Sequence, residues 1–150
     1  KIGIGDRINM LFSSSLITYG RGKGIVVENY PAPHPDGASL LHITLEDKKV
    51  CVMFDCEDPE GLPQEIVNEC DVLLYDGMYE NETYAEHVGW GHSTWQSAVN
   101  VAARANVGQL IIAHHDPDSW DRELRAREKE AKKIFPNTEF ARSGERIVFW

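Results

Sequence analysis

The sequence predicts an α/β fold with a layered sheet, and three observations point to it. Leu110-Ile111-Ile112 is an uninterrupted apolar run, the pattern of a strand buried on both faces, and Val72-Leu73-Leu74-Tyr75 is a second such run. Strand and helix patterns alternate through the second half of the chain. Both runs end abruptly in polar side chains: the first in His114-His115-Asp116-Pro117-Asp118, the second in Asp76. In layered α/β sheets, functional groups gather at the carboxyl ends of strands.

Taken in order, residues 1 to 20 predict irregular or edge structure, because Ile2, Ile4, Ile8 and Met10 alternate but Ser13-Ser14-Ser15 and several glycines interrupt them. Ile25-Val26-Val27 is a β-branched strand, after which Pro31, Pro33 and Pro35 force an extended loop that holds His34. Leu41, Ile43 and Leu45 alternate up to the polar turn at Glu46-Asp47-Lys48-Lys49. Val50, Val52 and Phe54 alternate after it, completing a hairpin whose second strand ends at Asp55. A short helix over Gln64 to Glu69 precedes the strand that ends at Asp76. Ser93 and Gln96 have capping-box spacing ahead of a helix with Trp95, Ala98, Val99 and Ala102 on one face, which sets His92 just outside a helix N-terminus. A further helix from Ser119 to Phe135, capped by Asp118, should bury Trp120, Leu124, Ala131 and Ile134. Its wet face carries the pairs Glu123 with Arg127 and Glu128 with Lys132. Two short strands close the chain, the last at Arg146 to Trp150.

Composition narrows the functional classes. A chain of 150 residues with 42% hydrophobic content can bury the core of a single domain. Its formal charge of -9, from 15 basic and 24 acidic residues, disfavours a broad surface for nucleic-acid backbones. The 3 cysteines, Cys51, Cys56 and Cys70, are too few and odd in number for a disulfide framework, so a reducing cytoplasm fits. No apolar run is long enough for a membrane span, and no export signal is visible. The chain starts at Lys1 with no initiator methionine, which suggests that its true start lies elsewhere.

The candidate functional residues are His34 in its proline-braced loop, Asp55 and Asp76 at strand ends, His92 before a helix, and His114 and His115. If these element ends share one rim of the sheet, histidine and aspartate side chains there can hold a metal or do acid/base work. Taken singly, each could equally satisfy a loop or a helix cap.

The segments His34-Pro-Asp-Gly-Ala, Phe54-Asp-Cys-Glu, Asp71-Val-Leu-Leu-Tyr-Asp-Gly-Met-Tyr, Gly91-His-Ser-Thr-Trp-Gln and Leu110-Ile-Ile-Ala-His-His-Asp-Pro-Asp resemble the C-terminal half of the metallo-β-lactamase superfamily. Within it they are most similar to the phosphodiesterase branch, with phosphoribosyl cyclic phosphodiesterases nearest and ribonuclease Z more distant. The resemblance runs from about Ile25 to Phe149 and implies an αββα sandwich holding two divalent metal ions, zinc or else manganese or iron. It implies that His34 and His114 are metal ligands and that Asp55 bridges the two ions. His92 and Asp76 resemble positions that support the ligands or face the substrate. His115 is grouped with them as catalytic, or else orients Asp76 or a loop carbonyl. His42 and His87 gain no role and should face solvent or a partner.

One departure is large. The family's His-x-His-x-Asp-His ligand motif does not occur in these residues. The expectation is therefore a single domain lacking its N-terminal half, which forms a homodimer or associates with that half. The implied function is metal-dependent hydrolysis of a small or cyclic phosphodiester by activated water. The alternatives are a non-catalytic half-fold that serves assembly, and a lactonase or thioesterase with the same metal site. The isolated sheet should expose an apolar face that includes Ile43, Val52 and Leu73.

Overall fold

The computed structural model describes residues 13–19, 23–57 and 66–146, with side chains from residue 25 onward. They form one mixed sheet of 7 strands ordered as in the sequence: β1 (Ser13–Tyr19), β2 (Lys23–Ala32), β3 (Ala38–Leu45), β4 (Lys48–Met53), β5 (Val72–Asp76), β6 (Gln109–Ala113) and β7 (Thr138–Phe140). The first four are joined as antiparallel neighbours. From β4 to β7 every pairing is parallel, an arrangement that requires long crossover connections. Two helices, α1 (Trp95–Arg104) and α2 (Asp121–Ile134), make the crossovers into β6 and β7.

The parallel register sorts the side chains by face. Cys51, Leu73 and Leu110 align across the sheet, as do Met53, Tyr75, Ile112 and Phe140. All are buried in a core completed by Trp95, Ala98, Val99 and Ala102 of α1 and Ala131 of α2. Both helices therefore cover the same face. Leu41, Ile43, Val50, Val52 and Leu74 occupy the other face and are only half-buried. The sequence reading placed Leu73 with Ile43 and Val52. The register moves it to the helix-covered side, because its partner across the ladder is Cys51 and neighbouring residues point to opposite faces.

Other local expectations shift for identifiable reasons. Strand β2 runs through Pro31 to Ala32 instead of breaking there. Among the described residues its pairing with β1 runs as far as Asn29. Ser13-Ser14-Ser15 belong to β1, which is at the edge of the sheet among the described residues. Strand β4 closes at Met53, two residues before Asp55. The described part of the expected 64–69 helix, residues 66–69, is turn-like. Helix α1 is capped by Thr94, whose hydroxyl accepts from Ser97 N at 3.1 Å, while Ser93 Oγ donates instead to the Cys56 carbonyl at 2.5 Å. In α2 neither Trp120 nor Ile134 is buried; they are 76% and 56% exposed. Asp118 does not cap that helix: its N–H donates to Asp116 Oδ1, and Glu123 Oε2 accepts from Trp120 N at 3.0 Å. Arg127 pairs with Glu80 and Ser119 and not with Glu123. Glu128 does pair with Lys132, but it is buried and also binds Arg142, so this side of the helix is clamped to the segment just after β7. The expected structure of residues 1–12 and, beyond Arg146, of the last strand Arg146 to Trp150 lies outside the described residues. No described helix is long and apolar enough to cross a membrane.

Gly108 lies just before β6, where the chain passes close to the backbone of Asp71 just before β5. A Cβ built there would lie 2.6 Å from the Asp71 carbonyl oxygen, and backbone cannot move aside as a side-chain tip could. Gly108→Ala should therefore lower the free energy of unfolding by about 1–3 kcal/mol, the usual scale of overpacking. A urea titration that gave the same midpoint for both proteins would contradict this packing account.

Candidate metal centre

Three parallel strands deliver the candidate side chains to one rim. Asp55 follows β4, Asp76 ends β5 and His114 follows β6. The loop from β5 to α1 then returns over the same strand ends and brings His92 back to them. Asp55, Asp76, His92 and His114 each offer one donor atom, and these atoms lie within 4.8 Å of one another. His114 Nε2 is 3.3 Å from Asp55 Oδ1, and His92 Nδ1 is 3.9 Å from the same oxygen. The His92 and His114 rings stack at 4.9 Å.

Asp76 holds this arrangement from below. It is fully buried, and its carboxylate accepts from Met78 N at 3.2 Å and Ser93 N at 3.5 Å while facing His92 Nδ1 at 2.9 Å. A buried carboxylate is tolerated only when its acceptor sites are filled. Its bond to His92 places the imidazole proton on Nδ1 and leaves Nε2 as the reactive nitrogen. Asp55 and His114 are held differently. Both have left-handed backbone conformations, with φ of 48° and 55°, which cost a side-chain-bearing residue free energy and concentrate at functional sites. Those conformations turn the chain sharply at the end of each strand and set the two side chains against each other.

His34 flanks the cluster. Its ring meets His92 edge-on at 5.6 Å, and its Nδ1 accepts from Asp36 N at 3.2 Å. The loop is fixed to the rim by Glu57 N, which donates to the Pro33 carbonyl at 2.9 Å. Gly91 has a positive φ of 91°, and a Cβ there would run into the His34 ring. His34 and the His92 loop are thus in direct contact.

His115 stands apart. Its ring stacks almost parallel on Phe140 at 5.3 Å, and neither ring nitrogen has a hydrogen-bond partner. Burial pushes its pKa down, opposed by the backbone of Ala141 and aided by the charges of Arg127 and His114. It does not orient Asp76. His42, expected with His87 to face solvent or a partner, bonds Glu28 at 2.8 Å, and His87 stacks on Tyr79 at 4.2 Å while staying partly exposed.

Sequence reasoning missed Glu57. Its carboxylate accepts from Gly89 N at 2.5 Å, Gly91 N at 3.3 Å and the Tyr84 hydroxyl at 3.2 Å, so it ties the His92 loop to the segment carrying Asp55. Its position two residues after Asp55 was visible in the sequence, but its partners more than 25 residues away were not. The nitrogen and oxygen donors, their spacing and their partial exposure suit a divalent ion such as zinc. Asp55 and His114 are the groups in the cluster able to hold it, with His92 beside them on Asp76.

No protein-family model matches the chain. A ribonuclease Z from Bradyrhizobium diazoefficiens is 31% identical over 128 residues, an alignment that covers 85% of this chain and 40% of that protein. The chain thus spans about two fifths of the length of this curated relative. Among solved structures, the metallo-β-lactamase fold protein YhfI from Bacillus subtilis superposes with a TM-score of 0.72 at 20% identity, over 87% of this chain and 50% of that one. The short form of human tRNase Z superposes with a TM-score of 0.60 at 18% identity, over 85% of this chain and 44% of that one. These structural likenesses establish the fold, about half of which this chain supplies.

If His115 serves packing, His115→Phe should keep the fold and leave zinc uptake, followed by isothermal titration, unchanged. Loss of uptake in a folded His115→Phe protein would make this residue part of the metal site.

Proposed function

We propose that this chain, which belongs to the metallo-β-lactamase superfamily, carries the C-terminal half of a metal-dependent phosphodiesterase site. The observation that carries the reading is the convergence of Asp55, Asp76, His92 and His114 within 4.8 Å at the carboxyl ends of parallel strands. Two divalent ions, zinc by preference, would be held by Asp55, His114 and His34, with remaining ligands from an upstream half of the sandwich. Ions bound there supply Lewis acidity and lower the pKa of a coordinated water toward neutrality. That half would also cover the half-buried face formed by Leu41, Ile43, Val50, Val52 and Leu74. Without it, the face favours pairing of two copies.

The chain's own residues then divide the work. Asp55 and His114 hold the ligand geometry through their turned backbones. His92, held through Nδ1 by Asp76, would act at Nε2, and when its ring carries both protons it can pass the Nε2 proton to the leaving oxygen. Its place just before α1 adds the favourable field of a helix N-terminus for an anionic phosphate. His115 has no part in this scheme, being turned against Phe140.

The substrate class is a phosphodiester, and the formal charge of -9 favours a small or cyclic one over a long polyanion. RNA is the second reading, supported by relatives that bear the name ribonuclease Z. Cys51, Cys56 and Cys70 are buried as thiols and not in disulfides, which suits a reducing compartment such as the cytoplasm.

In the complete protein, Asp55→Ala and His114→Ala should each abolish metal-dependent hydrolysis of a generic phosphodiester while leaving the protein folded. Full activity of either variant would overturn the ligand assignment. His92→Ala should lower turnover about a hundredfold, the scale of one acid/base group, with metal content intact. Metal loss in that variant would make His92 a ligand. Comparing a cyclic nucleotide with a short RNA as substrate separates the two substrate readings.

A further inference from the structure

The loop between β5 and α1 does more than return His92 to the rim. It also carries two large exposed apolar side chains: Val88, 63% exposed, and Trp90, 59% exposed. Trp90 is two residues from His92, and a chain of ring contacts joins them. The indole meets His87 edge-on at 5.1 Å, His87 stacks on Tyr79 at 4.2 Å, and Tyr79 meets His92 edge-on at 6.1 Å.

The backbone on both sides of Trp90 is anchored. Glu57 accepts from Gly89 N and Gly91 N, and Trp90 N donates to the His87 carbonyl at 3.1 Å. Gly89 and Gly91 both adopt positive φ, 88° and 91°, so the chain turns immediately before and immediately after the tryptophan. An indole that is held at both flanks yet left open to water is preorganised to receive something flat. Because the partner need not order the loop, little of the binding energy is lost to immobilising it.

Charge decides what that partner is. With a formal charge of -9 the chain cannot draw in a nucleotide substrate through many phosphate contacts, so uncharged contacts must supply the affinity. Stacking on an aromatic side chain does so for any base, because every base has a π-face. We propose that Trp90 is the stacking platform for the nucleobase next to the phosphodiester bound at the Asp55, His92 and His114 cluster. This makes the substrate a nucleotide diester, and it rests on the phosphodiesterase reading above. Glu57 is then a positioning residue for both halves of the site, since one carboxylate fixes the loop that carries His92 and Trp90 to the segment that carries Asp55.

The test compares two chromogenic diesters on the complete, metal-loaded protein: thymidine 5′-(4-nitrophenyl) phosphate, which has a base, and methyl 4-nitrophenyl phosphate, which has none. Trp90→Ala should raise KM for the thymidine ester about tenfold with kcat within about twofold, the effect expected from one lost stack. The methyl ester should be unaffected, and Trp90→Tyr should restore most of the loss. Equal effects on both esters, or none on either, would overturn the proposal. So would a Trp90→Ala protein that no longer assembles with its upstream half, since the indole would then be an internal contact. If the wild-type protein cleaves neither ester, the phosphodiesterase reading fails by itself, and calorimetric binding of thymidine 5′-monophosphate still decides the stacking. A tenfold weaker affinity in Trp90→Ala sustains the platform, and an equal affinity removes it.

Discussion

The fully buried carboxylate of Asp76 is the constraint on which the site depends. A carboxylate without water must find donors, and Asp76 finds them in three places: Met78 N just after its own strand, Ser93 N just before α1, and the His92 ring between. Each bond stitches a different part of the β5–α1 connection to the end of β5. Removing the carboxylate would release the loop, free the imidazole to rotate and leave buried N–H groups unsatisfied. The orientation of His92 is therefore a property of the core as much as of the surface.

Around this anchor the fold stores conformational strain where chemistry is expected. Asp55 and His114 both sit in left-handed backbone conformations immediately beyond strands that are locked into a parallel ladder. The packed rows Cys51, Leu73, Leu110 and Met53, Tyr75, Ile112, Phe140 hold the strand ends firmly enough to impose those turns. Aspartate and histidine are among the residues that tolerate this region best. The residue types that can bind a metal are thus also those that can make the turn.

Much of this was legible in the residues themselves. The runs at Leu110-Ile111-Ile112 and Val72 to Tyr75 announced buried parallel strands, and the polar residues that stop them marked the rim where the cluster forms. What was hidden depended on distance in sequence or on one-residue offsets. Alternation in β5 could not say which face the helices cover, so Leu73 was assigned to the wrong side. Ser93 and Thr94 both have capping chemistry, and the choice fell to Thr94 because Ser93 is drawn to the Cys56 carbonyl. His114 and His115 look alike in a string of letters, yet the turn at His114 sends the next ring into the core against Phe140. The exposure of Trp120 and Ile134 shows that helical spacing marks a stripe without proving that anything packs on it.

The central claim is that this chain holds part of a two-metal site whose other ligands come from an upstream half of the fold. The direct measurement is zinc stoichiometry, by elemental analysis after equilibrium dialysis, of Lys1 to Trp150 alone and of a protein extended upstream. The account predicts weak binding and self-association for the chain alone, and two tightly held ions in a well-behaved protein once the upstream half is present. A monodisperse monomer of the 150 residues that holds two zinc ions tightly would contradict it.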